Sequence, residues 1–447
     1  TPKPSSAASD VYKRQGLGNE AVTLTDTSLA GSDLNTLDGY TSGTINATAA
    51  TTLTGAAGEV ATAISSGGIN TASGVGVTLN SGTAPATALN TIDANTTAVV
   101  NATGLTLIWG SAANVKSAIT SAGINTPTGV GVSVSGSAAA TDLNAIDANT
   151  TAVVDATGIT TLTGLVADVK TAIASTGINR STSFDVTLSD SSVSVSNANI
   201  VDASTTGVVT ATITESALST LKTLTGTGNA YTITVTDTSA AASDLNSVDA
   251  KTTVAINAAA ITSLTGAAVD VKAAYASTGI TGLGDEAVTL TGSTSVADAN
   301  SVDGSTTGVV TATISQGDLA TLASLTGTGN AYTVSVIDST AAASALTTLD
   351  GKTTVNVNAN GVTTLTGTAS AIATAISAST IDTANNVGVT VDAGTAAATD
   401  LNTIDTNTTA VVNATAVTTI TGLVANVKTA IASAGITTGT TYAATLS

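Results

Sequence analysis

Between residues 140 and 190 the hydrophobic positions alternate between helical and extended spacing. Leu143 and Ile146 lie three residues apart and share one face of a short predicted helix over 140–147. The next segment, 151–156, is rich in β-branched residues and threonine and predicts a strand. The first part of this stretch therefore predicts a helix followed by a strand.

The second part repeats the alternation. Apolar residues between 165 and 173 are spaced by four, which predicts an amphipathic helix. Gly177 follows where a left-handed C-terminal cap is expected. Apolar residues between 184 and 188 then occupy every second position and predict another strand. One unit of the sequence thus predicts strand, helix, strand, helix.

One phrase of this unit returns eight times, as in LNTIDANTTAVVNATG from Leu89 and LNTIDTNTTAVVNATA from Leu401. Every copy carries an aspartate at the same position, namely Asp38, Asp93, Asp147, Asp202, Asp249, Asp303, Asp350 and Asp405. These aspartates are separated by 55, 54, 55, 47, 54, 47 and 55 residues. Such a period is typical of repeat proteins in which each unit packs mainly on its neighbours.

Two strand–helix coils in each repeat give about 27 residues per coil. Parallel strands joined by helices cross over in the right-handed sense. The sequence therefore predicts an α/β fold, a right-handed solenoid of about 16 strand–helix coils with a parallel β-sheet on one side. We expect a single repeat domain over 16–447, with repeats starting near residues 34, 89, 143, 198, 245, 299, 346 and 401.

The two repeats of 47 residues lack the TTLTG link found after the first strand elsewhere. A solenoid coil can shorten its helical side while its strands remain in register. We therefore expect these repeats to keep both strands.

The two ends of the sequence differ from the interior. Residues 1–15 do not match the repeat, and their VYKRQ segment resembles a translated cloning junction, so a non-native or disordered leader is expected there. The repeat text opens within a unit, because GLGNEAVTLTDTS from Gly16 matches GLGDEAVTLTGST from Gly282. It also stops within a unit, so we expect a piece of a longer protein.

Composition narrows the classes of function. The chain has no Cys, His or Met, which are the side chains most used in nucleophilic, acid–base and soft-metal chemistry, and we expect no enzyme activity. Its net charge of −19 disfavours nucleic acid as a partner, because a phosphate backbone needs a basic surface. No apolar run approaches the roughly 20 residues of a membrane-spanning helix, so no membrane insertion of this segment is expected.

A polar residue follows the first strand of most repeats and can hydrogen-bond the backbone of a turn. These positions, interpreted as a structural ladder, are Asn46, Asn101, Asp155, Asn257, Asn358 and Asn413. In this respect, and in coil length, the chain resembles the leucine-rich-repeat type of α/β solenoid. That resemblance implies that each side chain satisfies main-chain groups of the adjacent coil.

The periodic aspartates raise a second possibility, calcium binding between coils. Many lie five residues after another aspartate, which gives the candidate ligands Asp142, Asp147, Asp244, Asp249, Asp298, Asp303, Asp400 and Asp405. Calcium needs six to eight converging oxygens, and no EF-hand loop or glycine-rich calcium nonapeptide occurs in the sequence. Caps and turns are the alternative role for these residues.

The Ala-, Thr-, Val-, Asp- and Gly-rich repeats resemble the repetitive regions of large bacterial secreted or cell-surface proteins, including adhesins and surface-layer-like proteins. This resemblance implies an extracellular or cell-surface location. It favours a structural or adhesive region acting as a spacer, stalk or self-assembling rod, with self-association or other surface proteins or glycans as partners. The alternative function is a calcium-binding repeat module that mediates adhesion; no other cofactor is expected.

Overall fold

The structure is a computed structural model that describes residues 17–447, so the predicted leader over 1–15 lies outside the described residues. Within 17–447 the chain forms sixteen helices and parallel strands arranged as repeated strand–helix coils, and no sheet closes into a barrel. The predicted α/β solenoid is confirmed.

The helices are α1 Gly31–Asp38, α2 Ala57–Ser65, α3 Ala86–Asn95, α4 Ala112–Thr120, α5 Ala140–Asn149, α6 Val166–Ala174, α7 Val195–Asp202, α8 Leu218–Leu221, α9 Ala242–Asp249, α10 Ala268–Ala276, α11 Val296–Asp303, α12 Leu319–Leu322, α13 Ala343–Asp350, α14 Ala369–Ser377, α15 Ala398–Asn407 and α16 Val424–Ala432. Most run two to three turns. They begin 23 to 29 residues apart.

The strands of the first half are β1 Val22–Thr23, β2 Ser28–Ala30, β3 Ile45–Ala47, β4 Thr52–Gly55, β5 Ile69–Thr71, β6 Gly76–Leu79, β7 Gly82–Pro85, β8 Val100–Asn101, β9 Leu105–Gly110, β10 Ile124–Asn125, β11 Gly131–Ala139, β12 Val154–Gly164, β13 Ile178–Arg180, β14 Asp185–Leu188, β15 Val209–Thr212 and β16 Ala230–Thr232. Those of the second half are β17 Ser239–Ala241, β18 Ile256–Asn257, β19 Ser263–Gly266, β20 Ile280–Thr281, β21 Ala287–Thr294, β22 Val310–Ile314, β23 Ala331–Thr333, β24 Thr340–Ala342, β25 Val357–Ala359, β26 Thr364–Gly367, β27 Ile381–Thr383, β28 Gly388–Val391, β29 Gly394–Ala397, β30 Val412–Ala414, β31 Val417–Gly422, β32 Ile436–Thr438 and β33 Ala443–Leu446.

The chain divides into two compact units. The described part of the first unit comprises 17–215 and 224–232, and its sheets have the strand orders β1-β3-β5, β10-β8-β6-β4-β2 and β16-β15-β14-β12-β11-β9-β7, with β13 paired to β12. The second unit comprises 216–223 and 233–447, with the orders β17-β19-β21-β22-β23, β18-β20, β24-β26-β28-β30-β32, β25-β27 and β29-β31-β33.

A coil is defined here as the chain from the first strand after one helix to the end of the next helix. Coils whose helix carries a periodic aspartate are called Asp coils, and the coils between them are called intervening coils. An Asp coil has up to three short strands, such as β5, β6 and β7 before α3, whereas an intervening coil such as the one ending in α4 has two. The single strand predicted per coil is therefore wrong, because a turn interrupts the extended segment.

Neighbouring coils pair through strand β6, which is typical of the stack. Val77 is the register partner of Leu53 in the preceding coil and of Val100 in the following one. Each coil therefore forms main-chain hydrogen bonds with the coil before it and the coil after it. This is the pairing expected of parallel strands that are joined by helical crossover connections.

The core lies between the strands and the helices and is almost entirely aliphatic. In α3, Leu89 and Ile92 are fully buried, and Ala86 at the helix start is buried as well. Burial of apolar surface stabilises the folded state by about 25 cal/mol per Å². The largest fully buried side chains are Tyr231, Tyr332 and Phe184, so only a few coils are filled by an aromatic ring.

The predicted cap at Gly177 is wrong. Helix α6 ends at Ala174 with Ser175 in an extended conformation, and Gly177 is absent from the glycines with positive φ. Instead, the absence of a side chain at Gly177 leaves space for Asp147 of the preceding coil.

The two 47-residue repeats behave as expected on the strand side. Val209–Thr212 pairs with Ala230–Thr232, and Val310–Ile314 pairs with Ala331–Thr333. The shortening falls on the intervening helices, because α8 and α12 have only four residues each.

Candidate functional site: polar contacts between coils

The predicted ladder residues mostly bond within their own turn. Asn101 Oδ1 accepts hydrogen bonds from the amide and the hydroxyl of Thr103, at 3.3 and 2.7 Å. The same bond to the amide two residues later occurs at Asn46, Asp155, Asn257, Asn358 and Asn413. These side chains therefore hydrogen-bond the backbone of their own turns.

Contacts of this row with an adjacent coil occur at two positions. Asp155 accepts a bond of 3.4 Å from Ser133, and Asn358 Nδ2 donates one of 3.3 Å to Ser335. The hydroxyl and amide of Thr157 lower the pKa of Asp155, since both bonds favour the carboxylate. Both contacts reach side chains, whereas the leucine-rich-repeat resemblance implied main-chain groups.

Another asparagine row, which the sequence reasoning missed, does connect coils. It is the asparagine three residues before the periodic aspartate, and its Nδ2 donates to a main-chain carbonyl in the following helix or just after it. The pairs are Asn35 to Glu59, Asn90 to Asn114, Asn144 to Asp168, Asn246 to Asp270, Asn300 to Ser324 and Asn402 to Asn426, at 2.8 to 3.1 Å. The asparagine three residues before the periodic aspartate was the signal in the sequence, and leucine precedes it in five of these six pairs.

The periodic aspartates form a second connection between coils, called here the Asp–Ser bridge. Asp147 Oδ2 accepts a hydrogen bond of 2.7 Å from Ser175 Oγ. Ser175 Oγ in turn accepts one of 3.1 Å from the amide of Gly177. Equivalent bridges join Asp38 to Ser66, Asp93 to Ser121, Asp249 to Ser277 and Asp405 to Ser433. The aspartate sits near a helix C-terminus, where a carboxylate is unfavourable, and this bridge offsets that cost.

The glycine of each bridge is required by space. A Cβ built on Gly68, Gly123, Gly177, Gly279 or Gly435 would overlap the Oδ1 atom of the bridging aspartate. The Ser-X-Gly sequence after every full-length intervening helix but one is thus matched to the aspartate of the coil before it.

The remaining three periodic aspartates use other donors. Asp202 Oδ1 accepts from Asn229 at 2.8 Å, and Asp303 Oδ1 accepts from Asn330 at 2.7 Å. Asp350 accepts from Thr380, which occupies the place of the bridge glycine. All eight periodic aspartates therefore contact the following coil.

The earlier aspartates of the calcium pairs point to the preceding coil instead. Asp142 forms an ion pair of 3.1 Å with Lys116, Asp244 one of 3.0 Å with Lys222, and Asp298 one of 2.7 Å with Lys272. Asp400 lies in the first turn of α15. The bonds from Lys272 and Ser295 lower the pKa of Asp298.

The two members of a calcium pair are thus engaged in opposite directions. Asp142 contacts the coil before its own, and Asp147 contacts the coil after it. In residues 17–447 no three acidic side chains come together in the way a metal ion would require. Calcium binding remains a prediction that solution measurements must test.

Several helices are capped by the next coil. The amide of Val166, at the start of α6, donates to Asp190 Oδ2 at 2.6 Å, and the amide of Val195 donates to Glu215 Oε2 at 2.8 Å. Asp237, Gln316 and Asp338 bind the first amides of α8, α11 and α12 in the same way. A carboxylate at a helix N-terminus is favourable, because it satisfies an unpaired amide and complements the helix dipole.

The threonine doublets of the phrase also join coils. Thr96 Oγ1 donates to the carbonyl of Val75 at 2.6 Å, and Thr408 Oγ1 donates to that of Val387 at 2.7 Å. Both threonines are buried, and each accepts the amide two residues later. These hydroxyls bridge strand-side turns of successive coils.

Calcium is expected to leave the stability of the protein unchanged, because seven of the eight candidate carboxylates already accept protein hydrogen bonds or pair with lysine. The measurement is a thermal melt in 5 mM calcium, about fivefold above the weak end of the extracellular affinity range, and again with a chelator. A rise of several degrees with calcium would support the calcium module. Asp400→Asn, which removes a candidate with no lysine partner, would then locate the site.

The sequence matches no protein-family model and no curated protein. Among the helices of residues 17–447, none has the length and apolar character needed to cross a bilayer.

Proposed function

We propose that the chain is a structural repeat region, a spacer or stalk that carries load between its ends, rather than a catalyst. In this proposal it belongs to an extracellular or cell-surface protein, and its partners are further copies, other surface proteins or glycans. The observation that carries the proposal is the use of polar side chains: in successive coils they bind the neighbouring coil.

Four kinds of contact support this function. Asp–Ser bridges, helix asparagines, threonine hydroxyls and caps from the next coil connect the same pairs of coils that share strands. Exposed ion pairs such as Lys222–Asp244 add little, since each exposed pair contributes about 0–1 kcal/mol. These contacts recur from repeat to repeat at equivalent positions. Such a pattern is expected of a protein that must hold its coils together.

Pulling a single molecule by its two ends tests the proposal. Because successive helices begin 23 to 29 residues apart, loss of one coil should release about 8–10 nm of chain at roughly 3.5 Å per residue. We expect discrete extension steps of this size or multiples of it, at forces well above those that straighten a disordered tether.

The matched variant Asp147→Ala removes one Asp–Ser bridge and should lower the force of a single step. Smooth extension without steps would contradict the load-carrying function. An unchanged force profile in the variant would show that the bridges do not carry the load.

A further inference from the structure

One junction in the second unit replaces an apolar core pair by a polar one. In four other repeats the last turn of the full-length intervening helix carries isoleucine, and the position eleven residues later is apolar. The pairs are Ile64 with Val75, Ile119 with Val130, Ile173 with Phe184 and Ile376 with Val387. At the equivalent positions of α10 and the segment before β21 stand Tyr275 and Glu286.

Glu286 is as buried as the valines that it replaces, with 1% of its surface exposed. Its Oε1 accepts a hydrogen bond from the Tyr275 hydroxyl. Its Oε2 accepts the amides of Gly284 and Asp285, at 2.8 and 3.2 Å. Both carboxylate oxygens therefore have donors, and the Tyr275 hydroxyl is the donor that comes from another coil.

The tyrosine remains a donor under ordinary conditions. Burial, together with the bond to Glu286, raises the pKa of Tyr275 above its usual value. The main chain of Glu286 is held as well, because its carbonyl accepts a bond of 2.7 Å from Thr306 in the following coil. One residue thus connects three successive coils.

The strand that follows, β21, pairs with β19 on one side and with β22 on the other, and main-chain pairing alone does not distinguish alignments that differ by two residues. β21 pairs with β19 through Ser263↔Ala287, Leu264↔Val288 and Thr265↔Thr289. A shift by two residues would keep apolar side chains on the inner face, because the strand sequence AVTLT alternates. Gly282 and Gly284 both have positive φ, and glycines in such a loop can take up a displaced chain.

We infer that the Tyr275–Glu286 pair is a register determinant that selects the observed alignment of β21 against β19. In a shifted alignment the buried carboxylate loses its phenol donor and the tyrosine hydroxyl loses its acceptor, and unpaired buried groups are strongly disfavoured. A polar core residue that fixes register at some cost in stability is well attested in coiled coils. The pair plays that part in this solenoid.

Paired cysteines can measure the alignment, since the chain has no cysteine of its own. Ser263→Cys with Ala287→Cys places thiols at partners of the observed register, and Ser263→Cys with Thr289→Cys places them at partners of a two-residue shift. Each pair is introduced into the otherwise unchanged chain and into the Tyr275→Ile/Glu286→Val double variant, which restores the residues of the other repeats. The proteins are refolded under mild oxidation and the cross-linked fraction is determined by mass spectrometry.

We expect the shifted pair to cross-link several-fold more in the double variant than in the unchanged chain, while its melting temperature stays equal or rises. Glu20→Val is the control, because Glu20 stands in the matching GLGNE segment but is exposed. Equal cross-linking ratios in both backgrounds would overturn the inference and leave the pair as a local hydrogen bond. Neither result depends on whether the protein carries load.

Discussion

Replacing Phe184 by alanine is expected to destabilise the first unit by about 3–5 kcal/mol, the usual cost of removing a buried phenylalanine. The side chain is fully buried, and no other phenylalanine exists in the chain. Trp109 is the only tryptophan and lies in the same unit, so its fluorescence during chemical denaturation reports this unit.

The repeat itself supplies a milder substitution at this position. Valine occupies the equivalent place at Val75, Val130 and Val387, so Phe184→Val should fold and lose less stability than the alanine variant. Leu165→Ala is the control, because Leu165 is 50% exposed and should lose little. If Phe184→Ala were no less stable than Leu165→Ala, the described core of this coil would be wrong.

The second large effect is expected at Gly68, where alanine should cost about 1–3 kcal/mol. The added Cβ would overlap Asp38 Oδ1 and break the bridge from Asp38 to Ser66. The adjacent Gly67 has open space where a Cβ would lie, and neither glycine has positive φ. Gly67→Ala is therefore a matched control with little expected change. Denaturation followed by Trp109 fluorescence again measures the difference.

At Asp350 the chain itself carries a residue with a Cβ in place of the bridge glycine. There Ala378 and Thr380 stand in place of the bridge serine and glycine, and the threonine hydroxyl donates to Asp350 at 2.9 Å. Ser66→Ala with Gly68→Thr copies that arrangement and should recover part of the stability lost in Gly68→Ala. A double variant less stable than Gly68→Ala would show that the two bridges are not interchangeable.

The coil architecture could be predicted because it depends on periodic burial. The helix expected over residues 165–173 is found as Val166–Ala174, and the strand expected around Val186 is Asp185–Leu188. The strand expected over 151–156 begins later and extends to Gly164. Alternation of apolar and polar residues indicates which side chains are buried. A turn between two extended segments hardly changes that alternation, so the sequence did not reveal where a strand begins or ends.

The polar contacts could be predicted only in part. A local bond such as that from the Thr103 amide to Asn101 Oδ1 follows from a sequence spacing of two residues. The bridge from Asp147 to Ser175 spans 28 residues, so finding it required knowledge of which coil faces which. The same applies to the cap that Asp190 supplies to α6, 24 residues earlier.

That cap has a consequence for the order in which the protein forms during synthesis. When α6 has left the ribosome, the group that satisfies its first amide, Asp190, has not yet emerged. With translation at about 5–20 residues per second, the newest helix waits on the order of seconds for its partner. Folding should therefore follow the growing end with a lag of one coil. A nascent chain whose emerged part ends between residues 175 and 189 should show α6 less protected from proteolysis than one whose emerged part includes the whole coil of α7.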